Sequence, residues 1–513
     1  MRRARAYYAV PSFCGFDRIP TEILEIILQE ACDDFTLALP PHPPRRNRNP
    51  YTALVISWVC HQWRAMVLSS ATLWTPARID INFAFCEYDR KRTSTEALER
   101  ARVQAKWAAL LQCYLERSDS APLTVRLQGC LRDEDREWSG PVADIVHIVF
   151  ATIPRWQECV IAGYVVDILV TAPEPVGFPL LEVATVHMDD EFDPAWSVVD
   201  FSRAPRLRSY EGPITTLGLL PHGQLTCLRM NTCVLSVQML MDLIPLARQL
   251  QMIEVIVCLD PSEPLPPLTA DAICLPQLWL AEFTVDSYDV LAHIFGSLTT
   301  PKLSTLAIKG RTQDMSALSL EHWPMIEFDT WLRRSSCHLE HLDLISVLMP
   351  QTDIVAIMQR LPSLTELGLH DSARSLALAQ HSSSSVDDAL LRNLTAKAES
   401  KPELLPALSK LALSGNLQCD YALLLDMVSS RTSPRIEVLR LEIGDGSTSD
   451  IDDATEMRLR DMLGDDDFHV TRGLQFNAVR NPWKLRKLQN RTGETDTESE
   501  GPPETSEDSD DDY

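Results

Sequence analysis

This sequence is short of the local devices from which most catalytic sites are built. Only 18 of its 513 residues are glycine, and none falls in a phosphate-cradling loop ahead of a helix. His-Glu-x-x-His and Gly-x-Ser-x-Gly are both missing, which excludes the common zinc-hydrolase and nucleophile-elbow sites. The 13 cysteines are scattered from Cys14 to Cys419 with no Cys-x-x-Cys pair. That is the pattern of reduced thiols rather than a disulfide framework, and it points to the cytoplasm, the nucleus or both. No apolar run is long enough to span a membrane. Positive charge is scarce: 47 Lys and Arg stand against 72 Asp and Glu, a net charge of −25. Such a balance argues against a phosphate-binding surface for nucleic acid. No catalytic residue, cofactor or metal is expected, and the chain reads as a non-enzyme.

The nearest approach to a metal motif is Cys337-His338-x-x-His341. It opens a strand pattern, Leu339-x-x-Leu342-x-Leu344, whose register buries the leucines, turns His341 to the other face and leaves Cys337 and His338 before the strand. Asp189, Asp190 and Glu191 follow another strand and read as a solvated turn. His61 falls on the polar face of a helix.

What is present begins near the N-terminus. Residues 1–15, with Arg2, Arg3 and Arg5, read as a disordered leader; Pro11 interrupts any long amphipathic targeting helix there. From Phe16 the chain runs Ile19-Pro20-Thr21-Glu22-Ile23-Leu24, with Ile26, Ile27 and Leu28 continuing a helical apolar spacing. Pro20 suits a first helical turn, where its missing N–H has no partner to lose. After a Pro/Arg-rich break at 40–50, Leu54, Val55, Trp58, Val59, Trp63 and Met66 predict a second helix. Leu73-Trp74 closes the unit. The opening Ile19-Pro20-x-Glu22-Ile23-Leu24, the centre Val59-Cys60-x-x-Trp63-Arg64 and the Leu73-Trp74 close resemble an F-box. They are similar to the F-box families expanded in mushroom-forming fungi, where a proline-rich insertion between the first two helices is common. Ile19 in place of the commoner leucine, and Gln62 where a basic residue or serine is frequent, are departures that remove no apolar anchor. The resemblance covers residues 16–82. It implies docking on the Skp adaptor, and through it a cullin-RING ligase, by Ile19, Pro20, Ile23, Leu24, Ile27, Leu28, Leu54, Val55, Val59, Cys60, Trp63, Leu73 and Trp74.

Residues 83–120 read as a linker, with a solvated hinge at Arg90-Lys91-Arg92 and a helix over about Glu96–Glu116 striped by Leu98, Ala101, Ala105, Ala108, Leu111 and Leu115. From Pro122 short apolar strands recur, starting at Leu123, Glu158, Leu180, Leu207, Leu225, Ile253, Leu278, Leu303, Leu339, Leu364, Leu408 and Ile436. The last copies share Leu-x-x-Leu-x-Leu, which resembles a leucine-rich-repeat strand, and most are about 25–28 residues apart. Helical stripes intervene at Gln238–Ile244, Val290–Phe295, Ile354–Met358, Leu423–Val428 and around Leu390, Leu391 and Leu394. The fold expected is α/β: an N-terminal helical F-box, then an irregular leucine-rich-repeat-like α/β solenoid over 121–488, then a disordered acidic tail over 489–513.

In such a solenoid the strands line a surface for a protein target. Alternation turns Thr305, His341, Asp343, Glu366 and Lys410 outward, with Ser304, Glu340, Thr365 and Ser409 preceding them at the bends. Met457–Leu463 reads as a capping helix, with Phe476, Val479 and Trp483 shielding the last layer. In the tail, Ser506 and Ser509 precede acids and suit acidophilic kinases. Taken together, the expected function is that of the substrate-recognition subunit of an SCF-type ubiquitin ligase, cytoplasmic or nuclear, binding neither nucleic acid nor membrane. The alternative is a repeat scaffold that does not direct ubiquitination, or one whose N-terminal helices merely cap the array.

Overall fold

The computed structural model describes residues 19–32, 36–39, 52–76, 78–82, 94–129, 141–163, 177–187, 199–260, 262–267, 272–311, 318–319, 322–370, 386–396, 404–415, 417, 419–431, 434–443, 451–464 and 467–472. The expected leader 1–15, the insertion 40–50, the hinge 90–92, the turn 189–191, the residues Phe476, Val479 and Trp483, and the tail 489–513 with Ser506 and Ser509 lie outside the described residues.

Twelve of the twelve strand patterns from Leu123 onward form strands, and all of them join one sheet. Its members are β1 Thr36–Leu39, β2 Arg78–Asn82, β3 Leu123–Gly129, β4 Trp156–Gly163, β5 Val183–His187, β6 Ser209–Glu211, β7 Cys227–Ser236, β8 Met252–Cys258, β9 Leu280–Val285, β10 Thr305–Gly310, β11 His341–Ile345, β12 Glu366–His370, β13 Lys410–Gly415, β14 Val438–Ile443 and β15 Phe468–Arg472. All fifteen are hydrogen-bonded in chain order, every pair parallel. The molecule is therefore α/β with a large sequential parallel sheet. The sheet starts earlier than residue 121: Thr36–Leu39, inside the N-terminal helical unit, pairs with Arg78–Asn82. It ends later than the last repeat pattern, on Phe468–Arg472.

Each repeat strand begins two residues after the first leucine of its template. Leu303, Leu339, Leu364, Leu408 and Ile436 sit buried in the turn, and the next two leucines, such as Leu342 and Leu344, are buried by alternation. The twelve described helices are α1 Thr21–Cys32, α2 Thr52–Ile56, α3 His61–Ser69, α4 Ser94–Arg117, α5 Pro141–Phe150, α6 Val237–Leu243, α7 Tyr288–Ser297, α8 Met325–Ser335, α9 Gln351–Arg360, α10 Asp388–Leu394, α11 Tyr421–Ser430 and α12 Asp453–Leu463. Parallel strands taken in order need crossovers of one hand, which set the helices on one face of the sheet. Between β4 and β7 the described crossovers contain 3-10 turns, Ile214–Leu219 and His222–Gln224, rather than α-helices. Pro213 and Pro221 stand immediately ahead of them. Aromatic rings fill the space: Trp156, Phe178, Phe201 and Tyr210 follow one another at 6.3, 5.4 and 5.9 Å.

Two recurring side-chain devices fasten successive turns of the chain. At the end of a helix or helical turn ahead of a strand, an arginine reaches back to the C-terminal end of the previous helix and the turn after it. Arg155 donates to the carbonyls of Leu115 and Ala121 at 3.0 Å and to Ser118 Oγ at 2.7 Å. Arg334 donates to Phe295 and Leu298, and Arg431 to Leu394, Leu404 and Leu405 at 2.8–2.9 Å. Helix ends leave carbonyls without intrahelical donors and carry partial negative charge, so a guanidinium satisfies both needs. At the opposite rim, carboxylates accept backbone N–H groups from a neighbouring turn: Asp286 from Leu259, Asp353 from Trp323 and Asp388 from Asp420.

Candidate functional site

The N-terminal helices divide their apolar residues between a core and an exposed face. Leu24, Leu28, Leu73 and Trp74 are buried, Leu24 at 0% exposure. Trp74 is the pivot. Its Nε1 donates to the Val67 carbonyl at 2.7 Å, its ring meets Tyr114 edge-on at 5.1 Å, and the Arg117 guanidinium lies 4.4 Å from its centroid. Tyr114 and Arg117 belong to α4, so this ring ties the N-terminal helices to the next element. These four residues are core, and expecting them to be contact residues overlooked that a unit this small spends its largest side chains on holding itself together.

The other expected residues face out to differing degrees. Ile23 and Ile27 on α1 are about half exposed, Val55 on α2 and Pro20 and Cys60 are exposed, and Ile19, Leu54 and Trp63 are partly covered. The second helix of the sequence reading is broken. Ser57 Oγ donates to Leu54 O at 2.6 Å, and Cys60, in extended conformation, caps α3 by accepting from Trp63 N. The break turns Val59 and Trp58 into solvent at 59% and 68% exposure. Trp58 and Ile26 were missed as surface candidates, because a continuous helical stripe would have buried Trp58. The dipeptide after Ser57 and the capping capacity of Cys60 were the available signals. Seven large apolar residues are thus exposed between Ile23 and Leu68, out of sixteen among the described residues of the whole chain. The concentration is what distinguishes this face from scattered surface leucines.

The second candidate surface is the sheet face away from the helices. The expected outward residues do stand there, in three rows set by register. Thr305, His341, Glu366 and Lys410 pair across β10 to β13. Glu211, Arg229, Glu254, Glu282, Ala307, Asp343 and Gly368 run across β6 to β12. Lys309, Ile345, His370 and Ser414 form the third row. They are not the open surface expected. Thr305, His341, Asp343 and Glu366 are buried, His341 and Asp343 at 3% and 2% exposure, whereas Ser304, Thr365, Ser409 and Lys410 are partly exposed and Glu340 is exposed. Charge pairing closes the face. His341 Nδ1 lies 2.7 Å from Glu366 Oε2 and Nε2 2.8 Å from Asp343 Oδ2. Lys410 Nζ donates to Glu366 Oε1 at 2.6 Å, Lys309 pairs with Glu282, and Arg229 lies 3.6 Å from both Glu211 and Glu254. Alternation reveals which face a residue takes but not that its row neighbours carry the opposite charge. Register alone supplies that information.

Burial alone would lower the His341 pKa, but the hydrogen bonds and charges of Asp343 and Glu366 outweigh it and hold the imidazole at about 9. Burial would raise the Glu366 carboxyl, yet hydrogen bonds from His341 and Lys410 bring it down to about 2. Burial lowers the Lys309 ammonium, against the opposing pull of Glu254 and Asp343. Gly368 gives this cluster its room. A Cβ there would collide with the Asp343 carboxylate and come within 2.6 Å of His370 Nε2. His341 is thus clamped between carboxylates, and the described residues hold no group of three or more side chains arranged to bind a metal. No described helix is long and apolar enough to cross a membrane. No protein-family model matches the chain, and no curated protein matches it either.

Proposed function

We propose that this chain is the substrate-receptor subunit of an SCF-type ubiquitin ligase, with an F-box at its N-terminus and a leucine-rich-repeat-like solenoid behind it. The reading rests on one observation above the others: the gathering of exposed Ile23, Ile26, Ile27, Val55 and Leu68 on the helices whose sequence resembles an F-box, with Trp58 and Val59 exposed in the turn between the second and third. Helix-in-groove docking needs apolar anchors at helical spacing, left uncovered by the chain's own core. The Skp adaptor would take this face, and the array would hold a protein target near the ubiquitin-loaded partner, a contribution of proximity rather than chemistry. The chain is then a cytoplasmic or nuclear protein with no catalytic residues of its own.

A second reading has its own support. Thr36–Leu39 lies within the N-terminal unit and extends the sheet by one strand, as a cap of a repeat array would. Co-purification with the Skp adaptor separates the two. The informative variant is Ile23→Asp/Val59→Asp, which alters exposed positions only. Binding by the wild type and not by the variant supports the receptor; no binding by either supports the cap.

A further inference from the structure

The sheet face is internally neutralised, and on the rim beyond the strand C-termini Asp286, Asp353 and Asp388 are engaged by backbone N–H groups. The rim at the strand N-termini is different. In the turn entering β6, Phe201, Ala204 and Leu207 are buried at every third residue, and Arg203 and Arg206 between them and Arg208 after them are exposed. The turn is held from several sides. Phe178 N donates to Arg203 O, Gln224 Nε2 donates to the carbonyls of Ala204 and Leu207, Arg208 N donates to Glu182 O, and Arg208 O accepts from Thr226 N and Cys227 N. None of the three guanidinium groups forms an ion pair among the described residues. Glu182 on the adjoining turn makes none either, and Asp200 Oδ1 is occupied by Ser202 N. Along the same rim follow the exposed Arg248 before β8 and Lys302 before β10.

We infer that this rim is a docking surface for an extended acidic peptide of a partner protein. Three exposed arginines in six residues, none ion-paired among the described residues, stand out in a chain of net charge −25. Guanidinium forks match carboxylates in paired geometry, and a backbone held by six hydrogen bonds lowers the ordering cost of presenting them. From β6 to β10 is four strand spacings, roughly 19 Å, the length of about six extended residues. A run of that length rich in Glu and Asp would meet Arg203, Arg206 and Arg208 at one end, Arg248 in the middle and Lys302 at the other. The inference holds whether or not the N-terminal helices bind an adaptor.

The test is fluorescence anisotropy of a labelled hexaglutamate peptide with the full chain at about 0.15 M salt, where the Debye length of about 8 Å leaves only local charge effective. Saturable binding is expected, weakened roughly tenfold or more by Arg203→Ser/Arg206→Ser/Arg208→Ser and unaffected by Ile23→Asp/Val59→Asp. A hexalysine peptide should not bind. Equal binding by wild type and the triple variant overturns the inference. So does binding seen only once residues 489–513 are removed, since the acidic tail would then be the occupant. A triple variant that melts well below the wild type also overturns it, because the arginines would then serve the fold.

Discussion

At the scale of single residues the strongest commitments are buried cations. Arg431 is 1% exposed, and burial lowers its pKa to about 10. At that value it is still charged at neutral pH, and it donates to three carbonyls. Arg431→Met would leave those carbonyls buried without donors, at about 1–3 kcal/mol each. We expect a loss of roughly 3 kcal/mol or more, read as a lower urea midpoint. The His341 cluster makes a separate prediction about pH. His341 holds its proton to about pH 9 instead of 6.5, so its contribution is complete below 6.5 and lost as pH rises through 9. Glu366 keeps its charge to about pH 2 instead of 4.5, so its contribution is complete above 4.5 and lost as pH falls through 2. Both are complete between about pH 4.5 and 6.5. The gap in melting temperature between wild type and His341→Asn should be widest near pH 5.5 and narrow toward pH 9.5; a gap that widens there would refute the assignment. Gly368→Ala should destabilise by about 1–3 kcal/mol by forcing Asp343 and His370 aside, again measured by denaturant.

At the scale of elements, legibility follows from what each pattern reports. Leu-x-x-Leu-x-Leu fixed the strands because period-2 burial and the plugging leucine both leave marks in sequence. The template begins in the turn, which is why Leu303 and its counterparts precede their strands by two residues. Two helices went unread. Met325–Ser335 shows Phe328, Trp331 and Leu332 at helical spacing but lies in an unusually long gap. Pro141–Phe150 is apolar nearly throughout and reads as readily as a strand. The arginine clasps were invisible because an isolated arginine at the end of a helix or helical turn has no periodicity of its own. The N-terminal helices carry the prediction that separates core from contact. Leu24→Ala should cost about 2–5 kcal/mol as a cavity mutation and lower the melting temperature. Ile23→Asp/Val59→Asp should leave melting unchanged while removing adaptor capture. If both variants bind and both melt like wild type, neither assignment stands.

At the scale of the whole molecule, every strand of the sheet touches only the strand before it and the strand after it. Stability is then a sum of nearest-neighbour contacts. Pulling from the two ends should release the sheet strand by strand, each step freeing roughly 30 residues, or about 100 Å of chain, as a series of force peaks. A single all-or-none rupture would contradict the sequential order.

The clasps of Arg155, Arg334 and Arg431 all point the same way along the chain: the donor is always made after the carbonyls it serves. On the ribosome, a helix such as Asp388–Leu394 therefore emerges with its end unsealed and is finished only when residue 431 follows, some tens of residues later. At each of these three clasps the helix end is sealed only after a later turn has been translated. A stall between those two points would present the quality-control machinery with an open helix end rather than a completed surface.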